Sequence, residues 1–232
     1  MRRTRALLAG GVAAGPFFYL VVGVQMIVRP GFDARRHPLS LLTLGDWGWV
    51  QVATFMLTGA LGIACALGVR WALAGSRGGT WGPVLLGLWG AGLIAAGTFV
   101  PDPALGFPPG TAPGVPSHMS WHSTLHGVAF FTAFSPLVAA CVVFARRSVS
   151  LGQRAWLVYW VATAVVTPVI VAVGVSHPTA PGIPFAVAGI VGFGWVSVRA
   201  HHLSQQARRP AQDVLVAEPE HRVLPQLGVP PS

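Results

Sequence analysis

In a chain of 232 residues, 53% are hydrophobic and only 9% are charged, with a mean hydropathy of +0.63. A soluble domain of this size cannot hide that much apolar surface, so the composition points to an all-α polytopic membrane protein. The 15 basic residues, all Arg, outnumber 6 acidic ones, but they flank apolar runs without forming a contiguous patch. That sets nucleic acid aside and makes membrane lipids, with anionic headgroups, the simpler partner.

A bilayer core takes about 20 mostly apolar residues per helix. The sequence predicts six such spans, in chain order Leu7 to Val28, Trp49 to Val69, Trp81 to Val100, Ser123 to Ala145, Ala155 to Val175 and Ile183 to Val198. Arg2, Arg3 and Arg5 before the first run have the charge pattern of a secretory leader. The run is longer than a leader's apolar core and no A-x-A site closes it, so a retained signal anchor is expected. Between the spans lie Arg29-Pro30-Gly31, Gly75-Ser76-Arg77-Gly78-Gly79, a Pro/Gly-rich stretch from Pro101 to Pro116, Arg146-Arg147 and His177-Pro178. No helix interior is expected to hold a charge.

Basic residues are retained on the cytoplasmic side. Arg2, Arg3, Arg5, Arg70, Arg77, Arg146, Arg147, Arg154, Arg199, Arg208, Arg209 and Arg222 fall on one side, and only Arg29, Arg35 and Arg36 on the other. The expected arrangement is a six-span bundle over residues 1–200 in the cell membrane, with both termini cytoplasmic. Residues 201–232 read as a disordered cytoplasmic tail, polar and without apolar periodicity. The His201-His202 pair in it diverges by about 100° on a helix and reads as solvated rather than metal-binding. Cys65 and Cys141 lie inside apolar runs and read as small buried hydrophobes. Small-residue pairs, Gly11 with Gly15, Gly62 with Ala66 and Gly92 with Ala96, allow close helix contact within the bundle or across a homodimer.

The exoplasmic side of this arrangement collects Asp33, Asp46, Asp102, Arg35, Arg36, His37, His118, His122, His126 and His177. Any site is expected there. His122 and His126 are four apart at the start of the fourth span and project from one helical face, with His118 adding a third if the helix begins early. Such a pair supplies two nitrogen ligands to a zinc-like divalent ion, and Asp102 and His177 are at the right depth to complete the set. The protease pattern is absent, because Ser123 stands where its Glu would be. The alternatives are histidines that hydrogen-bond neighbouring helices, or that handle protons directly. Haem is disfavoured: His126 with His177 could approach an iron from opposite faces, but no matched histidine pair exists on the inner side. Asp102, between two prolines, sits on rigid non-helical backbone and serves as a turn cap or as an acid, base or ligand. Arg35 and Arg36 run against the charge bias and call for a partner, either Asp46, Asp102 or a lipid phosphate. Asp46 also fits the N-cap of the second span, and Ser40 is a candidate polar contact.

These residues carry a resemblance. Arg36-His37-Pro38-Leu39-Ser40, Leu44-Gly45-Asp46-Trp47-Gly48-Trp49-Val50-Gln51, Asp102-Pro103-Ala104-Leu105-Gly106-Phe107-Pro108-Pro109-Gly110, Ser120-Trp121-His122 and Leu125-His126 resemble the domain-of-unknown-function 998 family of bacterial and archaeal membrane proteins. The resemblance runs from about Leu7 to Arg199, departs at Ser123 where a Gly is expected, and implies six spans but no activity. Two functions remain open. One is a metal-assisted or His/Asp-dependent lipid-modifying hydrolase or transferase at the outer leaflet, with Asp102, His122 and His126 catalytic and Arg35, Arg36, Ser40 and Asp46 on the substrate. The other is a non-enzymatic membrane protein, a small permease or an assembly factor.

Overall fold

The computed structural model describes residues 2–207. It contains α1 (Arg2–Val28), α2 (Gly48–Ala72), α3 (Trp81–Thr98), α4 (Trp121–Ser150), α5 (Arg154–Ser176) and α6 (Gly182–Gln206), plus a short 3-10 helix at Leu39–Thr43. All six α-helices are long and apolar enough to cross a membrane. The chain is a multi-pass membrane protein.

Each helix packs on its neighbours in sequence, and α6 closes the ring by packing on α1. Glycines set how closely the backbones approach. A Cβ on Gly11 would lie 2.3 Å from Cys65 Sγ and 2.8 Å from the Ala200 Cβ, so α1 meets both α2 and α6 there. On Gly62 it would strike Trp89, and on Gly92 the Ala133 backbone. The small-residue faces are thus occupied within the chain, where close packing replaces the hydrophobic drive that lipid does not supply. Aromatic rings fill the space between: Phe193 lies 5.0 Å from Phe18 and 5.3 Å from Trp89, edge to face. Cys65 and Cys141 are buried free thiols.

Five of the six helices extend farther out than hydropathy places the spans, whereas α3 starts at Trp81 as expected and stops at Thr98, short of Val100. α1 starts at Arg2, α4 continues through Arg146-Arg147 to Ser150, and α6 runs through His201-His202 to Gln206. Helical hydrogen bonding continues into polar flanks wherever a long side chain reaches water, so hydropathy marks the apolar core and not the helix. Of the stretch read as a tail from residue 201, residues 201–206 are helical, and 208–232 lie outside the described residues.

Arg199 corrects the expectation of charge-free helix interiors. It is buried in α6, with its guanidinium carbon 4.3 Å from the Phe144 ring centre and 5.9 Å from that of Trp160. Its Nε and Nη2 have no hydrogen-bond partner among the described residues. Stacking on aromatic faces suits the weakly hydrated guanidinium.

Candidate functional site

At one end of the ring the loop after α1 packs on the loop after α3 and on the start of α6 at Gly182. Arg29, at the end of α1, is buried beneath these two loops; its Nη1 donates to the Leu42 carbonyl at 3.1 Å and its Nη2 to that of Leu44. Its guanidinium carbon lies 5.5 Å from the Phe107 ring centre. Burial lowers the Arg29 pKa, and the charge of Asp46 partly offsets this.

His37 is the latch between these two loops. Its Nδ1 accepts the Asp33 amide at 2.9 Å, so the proton is on Nε2, which donates to the Leu105 carbonyl at 3.0 Å. The ring is buried between Phe32 and Phe107, at centroid distances of 5.3 and 5.4 Å. Leu105, at φ +58°, and Gly106, at φ +87°, turn the chain so that Phe107 can enter this cluster. Arg36 donates to the Pro113 carbonyl at 3.3 Å, and so joins the same two loops. The start of α6 closes in at Gly182, where a Cβ would lie 2.2 Å from the Ala34 carbonyl oxygen.

Asp102 braces the entry to α4. Its Oδ2 accepts the Ser120 amide at 2.7 Å, while the Ser120 hydroxyl accepts the Ser123 amide at 3.1 Å. Hydrogen bonding from Ser120 holds the Asp102 carboxyl below its ordinary range, and nearby His122 adds to this. Ser120 is the N-cap of α4, and Asp102 holds Ser120 from the preceding loop rather than capping its own turn. His126 lies one turn further along α4, with Nδ1 2.6 Å from the Phe99 carbonyl and 3.2 Å from that of Ala96. Both partners accept, so Nδ1 carries the proton and ties α4 to the last turn of α3. Nε2 of neutral His126 keeps its lone pair.

The zinc-like ligand set does not converge. Among the described residues no group of three or more His, Cys, Asp or Glu side chains could hold a metal ion. The contacts place the candidates apart: Asp102 is engaged with Ser120 at the start of α4, and the Nδ1–H of His126 ties it to α3 while its Nε2 stays free. The ring of His122 lies against Trp121, centroids 3.7 Å apart, with Nδ1 buried and unpartnered. His177 is exposed at the end of α5, its Nδ1 2.9 Å from the Val173 carbonyl of its own last turn. His118 precedes the start of α4 at Trp121 and is not on its helical face.

The substrate-contact candidates also separate. Arg35 and Arg36 are exposed, and Asp46 is exposed and does not cap α2, whose N-cap is Trp47 without a side-chain bond. Ser40 is different, because Pro38, Leu39 and Ser40 form part of the wall of a cavity of about 300 Å3. Phe18, Phe55, Phe130, Phe134, Phe185 and Phe193 give the rest an aromatic character, and His126 stands on the same wall. The wall also includes Phe131 and Val175, both more than half exposed, so the cavity reaches the outer surface of the bundle. Of the site residues predicted from sequence, the structure thus brings Ser40 and His126 to one cavity and leaves the others outside it. Sequence reading missed Arg29 and the latching role of His37. Arg29 had a signal, being an arginine against the charge bias directly after an apolar run.

The model of a protein family of unknown function, DUF998, matches residues 12–202, which include all or most of every helix. The chain belongs to this family. No curated protein and no solved structure matches it. Against the family strings, Arg-His-Pro-Leu-Ser divides into a latch, His37, and a cavity wall, Pro38 to Ser40. The Asp-Pro string supplies the acceptor for the Ser120 amide at Asp102 and the anchor at Phe107.

Proposed function

We propose that this protein binds a lipid-type amphiphile, with an apolar chain in the cavity and a polar end at Ser40 and His126. The cavity carries this reading: about 300 Å3 of space, walled by aromatic rings, with few polar groups placed on it. His126 contributes a lone pair at Nε2, because Nδ1 is committed to α3. Ser40 contributes a hydroxyl that forms no hydrogen bond among the described residues. The Tyr19 hydroxyl, also on the wall, already donates to the Ala186 carbonyl at 3.1 Å. An amphiphile reaches such a cavity from the bilayer, through the side that Phe131 and Val175 leave exposed.

Gly127 supplies the test, since it lines the cavity and a Cβ there meets no heavy atom within 4 Å. Lipids extracted from the purified wild type and from Gly127→Phe are compared by mass spectrometry. The wild type is expected to retain a defined amphiphile near one per chain, and the variant to lose it with an unchanged thermal midpoint. Retention of the same lipids by both proteins refutes the reading.

The arginine count supports placing this end of the bundle on the exoplasmic side and both termini in the cytoplasm. Ser117 is exposed in the loop before α4, and both native cysteines are buried. Ser117→Cys is therefore expected to react with a membrane-impermeant maleimide on intact cells. Labelling only after lysis would reverse the orientation.

A further inference from the structure

At the opposite end of the ring, a groove of about 560 Å3 lies between the first turns of α1 and the last turns of α6. Arg2 and Arg5 line it from α1, followed on the same helical face by Ala9 and Ala13, and His201 and Ser204 line it from α6. At 1.5 Å per residue, Ala13 lies about 16 Å along the helix from Arg2. The groove thus joins a cationic end to a strip of small apolar side chains that continues along a helix able to span a bilayer.

The charge at this end is uncompensated among the described residues. Asp33, Asp46 and Asp102 are the acidic residues among those described, and all three belong to the loops at the other end. Residues 208–232 carry 3 Arg and 3 acidic residues, a net of zero, so they add no surplus of negative charge. Arg2 and Arg5 are exposed and form no ion pair among the described residues.

We propose that this groove binds one anionic phospholipid, its phosphate between the Arg2 and Arg5 guanidiniums and an acyl chain along Ala9 and Ala13. Guanidinium groups match phosphate oxygens in fork geometry. A small soluble anion would satisfy the arginines and leave the alanine strip uncovered, whereas a phospholipid fills both parts. An acidic protein segment could pair with the arginines at the surface but could not follow the alanine strip into the bilayer, where its own backbone groups would lack partners. The site is separate from the aromatic cavity and does not depend on the function proposed for it.

The full-length protein in detergent is titrated by native mass spectrometry with phosphatidylglycerol, with phosphatidylcholine of the same acyl chains, and with glycerol phosphate as a headgroup without chains. Phosphatidylglycerol is expected to bind in preference to both. A guanidinium in direct contact with the phosphate contributes about 5-fold, so Arg2→Gln with Arg5→Gln should weaken phosphatidylglycerol by about 25-fold. Arg3→Gln with Arg77→Gln removes the same charge from outside the groove, where salt screens it from the phosphate, and should stay within about 2-fold. Ala9→Phe, which keeps every charge, should also weaken the lipid. Three results overturn the proposal: equal binding of the two lipids, an equal loss from the Arg3 and Arg77 pair, or glycerol phosphate binding as tightly as phosphatidylglycerol. The second would show diffuse surface charge, and the third a soluble-anion site.

Discussion

Removal of the His37 ring should loosen the whole loop-bearing end, and the size of the effect follows from its contacts. His37→Ala deletes the acceptor for the Asp33 amide at 2.9 Å and the donor to the Leu105 carbonyl at 3.0 Å. Each hydrogen bond contributes about 1 kcal/mol net, and the lost edge contacts with Phe32 and Phe107 add about 1 kcal/mol together. A total of about 3 kcal/mol corresponds, for a chain of this length, to a fall of about 6–12 °C in thermal midpoint. The assay is thermal unfolding of the detergent-purified protein, with His177→Ala as the comparison. His177 is exposed and touches only its own helix end, so its loss should cost less than about 1 kcal/mol. Because Pro38 to Ser40 follow the latch directly and line the cavity, His37→Ala should also lose retained amphiphile. A midpoint within about 1 °C of wild type, or an equal fall for His177→Ala, would refute the assignment of His37 as the latch.

Two further outcomes follow from the Asp102 brace and the helix packing. The Asp102 carboxyl has a depressed pKa in the folded state, so it contributes stability above its unfolded value of about 3.9 and loses it as pH falls through the folded value. Asp102→Asn should therefore have a lower midpoint than wild type at pH 6, with the gap closing in acid; a gap of constant size from about pH 6 to pH 2 would contradict this. Gly11→Ala forces a methyl group to within 2.3 Å of Cys65 Sγ, whereas on Gly23 of the same helix a Cβ meets nothing within 4 Å. Gly11→Ala should lose about 1–3 kcal/mol and Gly23→Ala should match or exceed wild type, both read as thermal midpoints. Equal behaviour of the two would place the α1 contact elsewhere.

The His122 and His126 spacing shows how far the sequence could be read. It correctly places both residues on one helix a turn apart, but spacing along a helix says nothing about what stands opposite. The carbonyls at the end of α3 stand opposite His126, and Trp121 and Phe99 opposite His122. A helix end with unpaired carbonyls attracts the nearest donor, so His126 Nδ1 is used for packing. Likewise Arg35 and Arg36 were the conspicuous arginines, yet Arg29 is the one that burial and the Leu42 and Leu44 carbonyls hold in place. Its place against the charge bias marks it in the sequence, but only the folded loops show which carbonyls it holds.

What the sequence determined by itself is whatever depends on one dimension: six apolar stretches, the arginine asymmetry between their ends, and the glycines at helix contacts. These follow from transfer free energy and from the absence of a side chain, both of which are local properties. Tertiary structure decided which polar groups meet. Ser40 and His126 are 86 positions apart in the chain, and they share a cavity wall because the His37 latch seats the first loop over the mouth of a closed ring. That closure depends on α6 returning to α1 at Gly11 and Gly15, a contact across almost the whole chain that no local pattern encodes.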